Sequence, residues 1–556
     1  MTPLERPADL VLTGGRVLTM DAQRDAATEP AEAVAVRAGR IVAVGRVSDV
    51  ERQVDSRTRR IELAGRTLLP AFQDAHVHPV MAGIGLTRCP LHDLPVDPTA
   101  YLEAIQAYAE AERNRAWLVG DGWAMAAFPG GTPTRQALDR VVPDRPAFFV
   151  NRDGHGAWVN SRALEIAAID RDTVDPPDGR IERDPSGEPS GTLHEGAMEI
   201  VRRCLPPTTT EDLVGGLALA QAYLQRFGIS AWQDAWVTAA DLAAYRLFAE
   251  RGQLTGRAIA CHWWDRERGP EQIEELVERR RTATIGRLRS TTVKMMLDGV
   301  IENHSAALLE PYLDGLGRST INHGISFVDP ALLRDHVTRL DAEGFQVHFH
   351  ALGDRAVREA LDAIEAARET NGPSDGRHHL AHLQLVDPAD IARFARLGVT
   401  ANIQPYWACH DAQMDELTIP FLAPEPAARQ YPFRSLQESG ARLAGGSDWS
   451  VSTPNVMAEI EVAISRISPE DRTAEPFLPR EALELPAALR AFTLGSAWVN
   501  HLDAISGSIA VGKLADLAVL DRDILGPEVG PLGETRVLLT MIEGAAVFED
   551  PSLEQP

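Results

Sequence analysis

The apolar positions of this chain change their period along its length. Near the N-terminus, "DLVLTGGRVLTM", "EAVAVRAGRIVAVG" and "RRIELAGRTLLP" are rich in β-branched residues and broken by Gly-Gly and Ala-Gly-Arg turn signals, which predicts a β-meander. Two C-terminal stretches, "GSIAVGKLADLAVLDRD" and "TRVLLTMIEGAAVFED", have the same character. Chain ends often lie close together in space. The expectation is one small β-sandwich made by both termini, residues 1–67 plus 487–556.

Between the ends, short buried-looking segments alternate with amphipathic helical stretches, the pattern of βα units. The segments are "AFQDAH", "GISAWQDA", "RAIACHWW", "TTVKMMLDG", "FQVHFHALGD", "HHLAHLQLV", "GVTANIQP" and "RLAGGSDWS". Eight such units predict an α/β fold, a (β/α)8 TIM barrel over residues 68–486, rather than an open sheet. The interval 87–207 is too long for a plain crossover and has elements of its own, the helical "PTAYLEAIQAYAEAERNR" and the strands "AWLVGDGW" and "RPAFFVNRDG". An insertion leaving the C-terminal end of the first strand emerges on the catalytic face, so it reads as a subdomain that covers the substrate.

In a TIM barrel the catalytic groups collect at the C-terminal strand ends. The first segment, within "LLPAFQDAHVHP", ends in His76 and His78, which share a face at a spacing of two. The fourth segment contains Lys294, the fifth ends in His350, the sixth carries His382 and the eighth ends in Asp448. In "FQVHFH", Gln346, His348 and His350 share a face; His350 is the ligand candidate and His348 a packed histidine one layer deeper. Neutral imidazoles and a carboxylate suit Zn²⁺ with open positions for water and substrate, and other divalent metals stay open. Taken singly, each residue has a plainer reading: loop histidines for His76 and His78, a lysine paired with a buried carboxylate for Lys294, a helix N-cap for Asp448.

The motifs "DAHVHP", "VKMMLDG", "HALGD", "LAHLQ", "GSDW" and "GSIAVGKLADLAVLD", in this order over nearly the whole chain, resemble the amidohydrolase superfamily. Within it they resemble the amidohydrolase 3 or YtcJ-like branch, which includes N-substituted formamide deformylase. The resemblance implies a metal-dependent hydrolase of a non-peptide C–N bond in a small amide or formamide. It implies that His76, His78 and Asp448 hold one ion and that His350 and His382 hold a second. Lys294 would bridge them as a carbamate, because an ammonium offers donors only and repels a metal. Asp448, with Lys294 and His382 beside it, forms the catalytic set; Asp448 would take a proton from the attacking water and pass it to the leaving nitrogen. Two departures from the family pattern, Ala71 for Gly and Ser450 for Pro, touch local turns and no ligand.

Substrate contacts are sought in the insertion and in loops after strands: Trp123, His155, His304, and Trp264 with its neighbour Trp263. Their aromatic character hints at an uncharged or aromatic substituent. A related hydrolase of a cyclic amide, carbamate or ester is the second reading, and a catalytically silent barrel scaffold the third. A sugar-processing or dehydrogenase barrel is disfavoured, since no G-x-G-x-x-G opens a helix after a strand.

Composition narrows the partners. The 556 residues are 44% hydrophobic and 24% charged, as in a soluble globular protein. With 55 Lys and Arg against 80 Asp and Glu, 55 − 80 gives a net charge of −25, which argues against nucleic acid and anionic membranes; the small-molecule substrate is what the resemblance implies. "MTPLERPADLVLTGG" lacks a signal-peptide pattern and no apolar run is long enough to cross a bilayer, so a cytoplasmic location is expected. Cys89, Cys204, Cys261 and Cys409 are scattered without a C-x-x-C pair and read as free thiols. Self-association into a homo-oligomer is left open.

Overall fold

The computed structural model describes residues 7–21, 31–92, 94–527 and 530–554. At its centre eight parallel strands follow one another in chain order: Phe72–Val77, Ile229–Val237, Arg257–Trp263, Leu288–Met296, Gln346–Ala351, His379–His382, Thr400–Ile403 and Arg442–Gly445. These are the eight apolar segments of the sequence, and they form the expected barrel. Alternation along each strand separates two environments. Around the fifth strand, Phe345, Val347 and Phe349 join the main hydrophobic cluster outside, while Gln346, His348 and His350 belong to the barrel interior.

Strands one and eight share no regular ladder among the described residues. The seam is closed instead by the Asp448 N–H donating to the His76 carbonyl at 2.7 Å and the His78 N–H donating to the Trp449 carbonyl at 2.8 Å. The Asn402 side-chain amide donates to the Ala75 carbonyl at 2.8 Å, and small Ala75 and Ala444 pack against Val499 there. The N-terminal end of the barrel is filled by buried amides: Gln233 donates to Gln346 Oε1 at 3.1 Å, and Gln73 donates to Ser506 Oγ at 2.7 Å. The chain after the eighth strand meets these amides with Ser506 and Asn500, and the metal-competent groups lie at the other rim.

The crossovers carry amphipathic helices. Asp354–Asn371 buries Ala356, Val357, Ala360, Leu361, Ile364 and Ala367, spaced three and four apart, the stripe that packs a helix onto a sheet. Thr210–Arg226 and Ala239–Glu250 each start with a capping box, Thr209 with Asp212 and Thr238 with Asp241, which satisfies amides that have no partner within the helix.

The termini form two facing sheets. One contains Leu10–Thr13, Ala33–Arg37, Arg40–Gly45 and Arg59–Glu62; the other contains Arg16–Val17 and Thr67–Pro70 together with Leu517–Leu520, Val537–Ile542 and Ala545–Glu549. Leu12, Val34, Leu68, Leu517, Val519 and Leu539 fill the space between them. A simple N-terminal meander is not what forms. The first and third runs each cross from one sheet to the other at their turns, where Gly14 and Gly65 take φ of 79° and 81°, a conformation open to glycine at little cost. Arg257, at the start of the third barrel strand, ties this region to the barrel through ion pairs of 2.6 Å with Asp516 and with Glu543.

Between barrel strands one and two the chain builds a six-stranded sheet in the order Gly179–Arg183, Pro189–Glu195, Gly156–Val159, Ala147–Asn151, Leu118–Trp123 and Cys89–Pro90. Phe148 and Phe149, adjacent in sequence, enter separate cores on its two faces. The helix Pro98–Ala111, capped by Asp97, buries Tyr101, Ile105 and Ala109 against one face. No described helix is long and apolar enough to cross a membrane, and the four cysteines are free.

Candidate metal centre and its cavity

The strand ends bring the metal-competent groups together. His76 Nε2 stands 3.3 Å and His78 Nε2 3.1 Å from the same oxygen, Asp448 Oδ1. His382 Nδ1 lies 3.8 Å from Asp448 Oδ2, and ligand atoms of His76, His382 and Asp448 all fall within 4.8 Å of one another. The His350 ring is 4.5 Å from that of His382. One layer deeper, His348 Nε2 is 2.8 Å from His76 Nδ1, which fixes the ring that presents Nε2 to Asp448.

Two of these residues sit where the backbone is strained. His382 and Asp448 have φ of 79° and 55°, a left-handed region that costs a non-glycine residue about 1–3 kcal/mol and persists at sites whose surroundings hold it. The holding groups are visible. The His382 N–H donates to Gln404 Oε1 at 2.7 Å. Asp74 accepts from the Ser447 N–H at 3.0 Å and from the Ser447 hydroxyl at 2.5 Å, which braces the turn that aims Asp448. Behind His350, Asp298 Oδ1 lies 3.4 Å from Nδ1, and Asp298 is itself held by the N–H groups of Gly353, Ala307 and Leu352.

Electrostatics suit a cation. Burial, reinforced by neighbouring cationic groups, holds His76, His350 and His382 well below the ordinary imidazole range, so each offers a neutral nitrogen. Burial works against the charge of Asp448, yet the nearby His78, His382 and Lys294 keep its carboxyl below the usual range. Burial pushes the Lys294 ammonium down to about 7 against the pull of Asp448. Asp448 Oδ1 is buried without a directed hydrogen bond although two imidazole nitrogens face it, an arrangement costly without an ion and ordinary around one. The nitrogen and carboxylate donors fit a borderline divalent metal.

A cavity of 1570 Å³ opens over these groups and continues along the insertion. His155 lines it, with Nδ1 3.1 and 3.0 Å from the two Glu195 oxygens and its ring 5.4 Å from that of His350. Burial opposes a charge on His155, but the Glu195 carboxylate outweighs it and lifts the group to about 9; Glu195 is correspondingly held at about 2. The barrel grips this pair, since Ser305 Oγ donates to Glu195 Oε1 at 2.8 Å and the Asn303 amide donates to the His155 carbonyl at 3.0 Å. Arg266, after barrel strand three, pairs with Asp178 of the insertion.

Three expected substrate contacts are not in the cavity. Trp123 is fully buried at the centre of the insertion's own core, where its indole N–H donates to the Phe149 carbonyl at 2.8 Å. His304 packs its ring against Tyr312 at 5.2 Å and Phe421 at 4.6 Å, in the small cluster behind the strand-four loop. Trp264 faces outward, 4.8 Å from the His336 ring. Alternation explains it: Cys261 reaches His348 inside the barrel, so Trp263, two residues on, faces the cavity and Trp264 does not.

Sequence reasoning missed Asp298, Glu195 and Trp236. Asp298 was readable as a carboxylate four residues after Lys294 at a strand end. Glu195 pairs with a residue forty positions away, in the turn before Gly156–Val159, and no local spacing marks it. Trp236 shares its alternation with outward Trp232, but the ladder slips between Asp234 and Val237, and this bulge turns the indole into the cavity.

The chain belongs to the amidohydrolase family, which it matches over residues 59–548, and it is a hydrolytic enzyme. It is 29% identical over 529 residues to "Protein LONG AFTER FAR-RED 3" of Arabidopsis thaliana, covering 93% of this chain and 88% of that one. It is 27% identical over 552 residues to N-substituted formamide deformylase of Arthrobacter pascens, covering 97% and 98%. Among solved structures, an uncharacterized metal-dependent hydrolase from Pyrococcus horikoshii OT3 superposes with a TM-score of 0.72 at 23% identity, over 94% of this chain and 99% of that one. That likeness concerns the fold.

Proposed function

We propose that this enzyme is a metal-dependent hydrolase that cleaves a non-peptide C–N bond of a small amide or formamide. The observation that carries the reading is the convergence of His76, His78 and His382 on one buried carboxylate, Asp448, at the floor of the cavity. The likeness to N-substituted formamide deformylase supports the choice of bond. His76, His78 and Asp448 would hold one divalent cation such as Zn²⁺, and His350 and His382 would hold a second with Lys294. A cation bound there supplies an acidified water and polarises the scissile carbonyl.

The protein's own groups do the rest. Asp448, ionised at neutral pH, accepts the proton of the attacking water and returns it to the leaving nitrogen. Lys294 is shifted toward its neutral amine, the form that adds CO₂; the new N–C bond gives a carbamate and releases one proton. The insertion acts as a lid, with His155 over the centre orienting the substrate. Metal-replete and chelated enzyme should be compared on N-alkyl and N-aryl formamides, acyl amides, hydantoins and carbamates. Amine release from formamides that stops on chelation and returns with zinc supports the reading; equal turnover by metal-free enzyme contradicts it.

A further inference from the structure

The cavity is far larger than a simple formamide needs. Clefts of about 300–1,000 Å³ hold drug-sized ligands, and this one measures 1570 Å³. Its wall beside the centre carries an unusual feature. The indoles of Trp236 and Trp263 lie face to face, 4.3 Å between centroids and 8° from parallel, and both are only half-buried and line the cavity. Trp263 is paired in register with Lys294, so the stack begins one strand away from the centre.

The fold builds this feature at some expense. The bulge between Asp234 and Val237 breaks the ladder of strand two to turn Trp236 inward. Asp234, a buried carboxyl, holds the bulge by accepting the Trp236 N–H at 3.1 Å, and it is itself held by the Tyr245 hydroxyl at 2.8 Å. Trp263 ends strand three, and the next residue is pinned by its N–H donating to the Lys294 carbonyl at 2.9 Å. Ile84, Leu213, Leu219, Met198 and Leu205 continue the apolar lining of the same cavity. Half-exposed stacked aromatics in a cleft are apolar surface waiting for an apolar, flat partner.

We propose that the Trp236–Trp263 stack is a specificity platform and that the substrate is an amide bearing a planar aromatic group, seated against these indoles while its C–N bond meets the centre. This rests on the hydrolase reading above. Its test separates the two. Binding of naphthalen-2-ylmethanol, followed by its own fluorescence on the intact enzyme, needs no turnover; it should weaken by roughly 5-fold to 10-fold in Trp263→Leu and far less in Trp263→Phe. Cyclohexylmethanol should compete weakly against it. In turnover, the kcat/KM ratio of N-benzyl over N-cyclohexylmethyl amide should fall by a similar factor in Trp263→Leu, mainly through KM, and survive in Trp263→Phe. Unchanged probe binding and an unchanged ratio in Trp263→Leu would overturn the platform while leaving hydrolysis intact. Probe binding that depends on Trp263 in an enzyme that hydrolyses neither amide would keep the platform and overturn the hydrolase reading.

Discussion

The two walls of the cavity hold their polar groups by different means. On the barrel wall, His76, His350, His382 and Asp448 stand at strand ends, each at most partly open to solvent, with two of them in strained backbone conformations braced by Gln404, Asp74 and Ser447. On the insertion wall, His155 and Glu195 come from a separate sheet and reach the barrel through Asn303, Ser305 and the Arg266–Asp178 pair. The first wall is braced through its backbone: the His382 N–H is held by Gln404, and the turn that carries Asp448 is held by Asp74. The second is a docked surface that can change its side chains without disturbing the ladder. Under the proposed function this division would put the chemistry on the barrel rim and leave the choice of substrate to the insertion together with the Trp236–Trp263 stack.

The comparison breaks most sharply at Asp448. Asp448→Asn should lower kcat by about 10³-fold or more while the melting temperature moves only a few degrees, because the substitution removes a proton acceptor and keeps the shape. Turnover within tenfold of the parent would take proton transfer away from this residue. On the other wall, His155→Gln should act mainly through KM, lowering kcat/KM by roughly 10-fold to 100-fold, with bound metal unchanged by elemental analysis. An equal loss in kcat would move His155 into the chemistry and erase the division.

The His155–Glu195 pair also gives the insertion a pH signature. Glu195 falls from 4.5 to about 2 on folding, so its contribution is full above 4.5 and lost as the pH drops toward 2. His155 rises from 6.5 to about 9, so its contribution is full below 6.5 and lost as the pH climbs through 9. The melting-temperature gap between the parent and Glu195→Gln should therefore be widest between pH 4.5 and 6.5 and narrow above 9. A gap independent of pH means that the pair is not ionised. The smallest effect on catalysis belongs to Trp264→Leu, which should destabilise the protein by about 2 kcal/mol through a core vacancy and leave kcat/KM and substrate preference as they were.

Much of the barrel was legible because strand periodicity and rim chemistry are local. "DAHVHP", "HFHALGD" and "GSDW" carry both the apolar run and the polar residue that ends it. The order of barrel strands came with them, since parallel neighbours in this fold are neighbours in sequence. What stayed hidden depends on contacts between distant segments or on departures from regular geometry. The first and third N-terminal runs each split across two sheets at glycine turns, which their alternation alone does not reveal. Trp123 and Trp263 look alike in sequence, yet one centres the insertion's core and the other faces the cavity. Trp236 was masked by a bulge, and Glu195 by the distance in sequence to its partner.

The account stands on a cation bound between imidazoles and Asp448. X-ray diffraction of zinc-soaked crystals, measured on both sides of the zinc absorption edge, tests it most directly. The account predicts an anomalous peak within coordination distance of His76 Nε2, His78 Nε2 and an Asp448 carboxylate oxygen, with a second peak, where present, beside His350 and His382. Zinc found only at other positions, with these side chains hydrogen-bonded to one another instead, would contradict it.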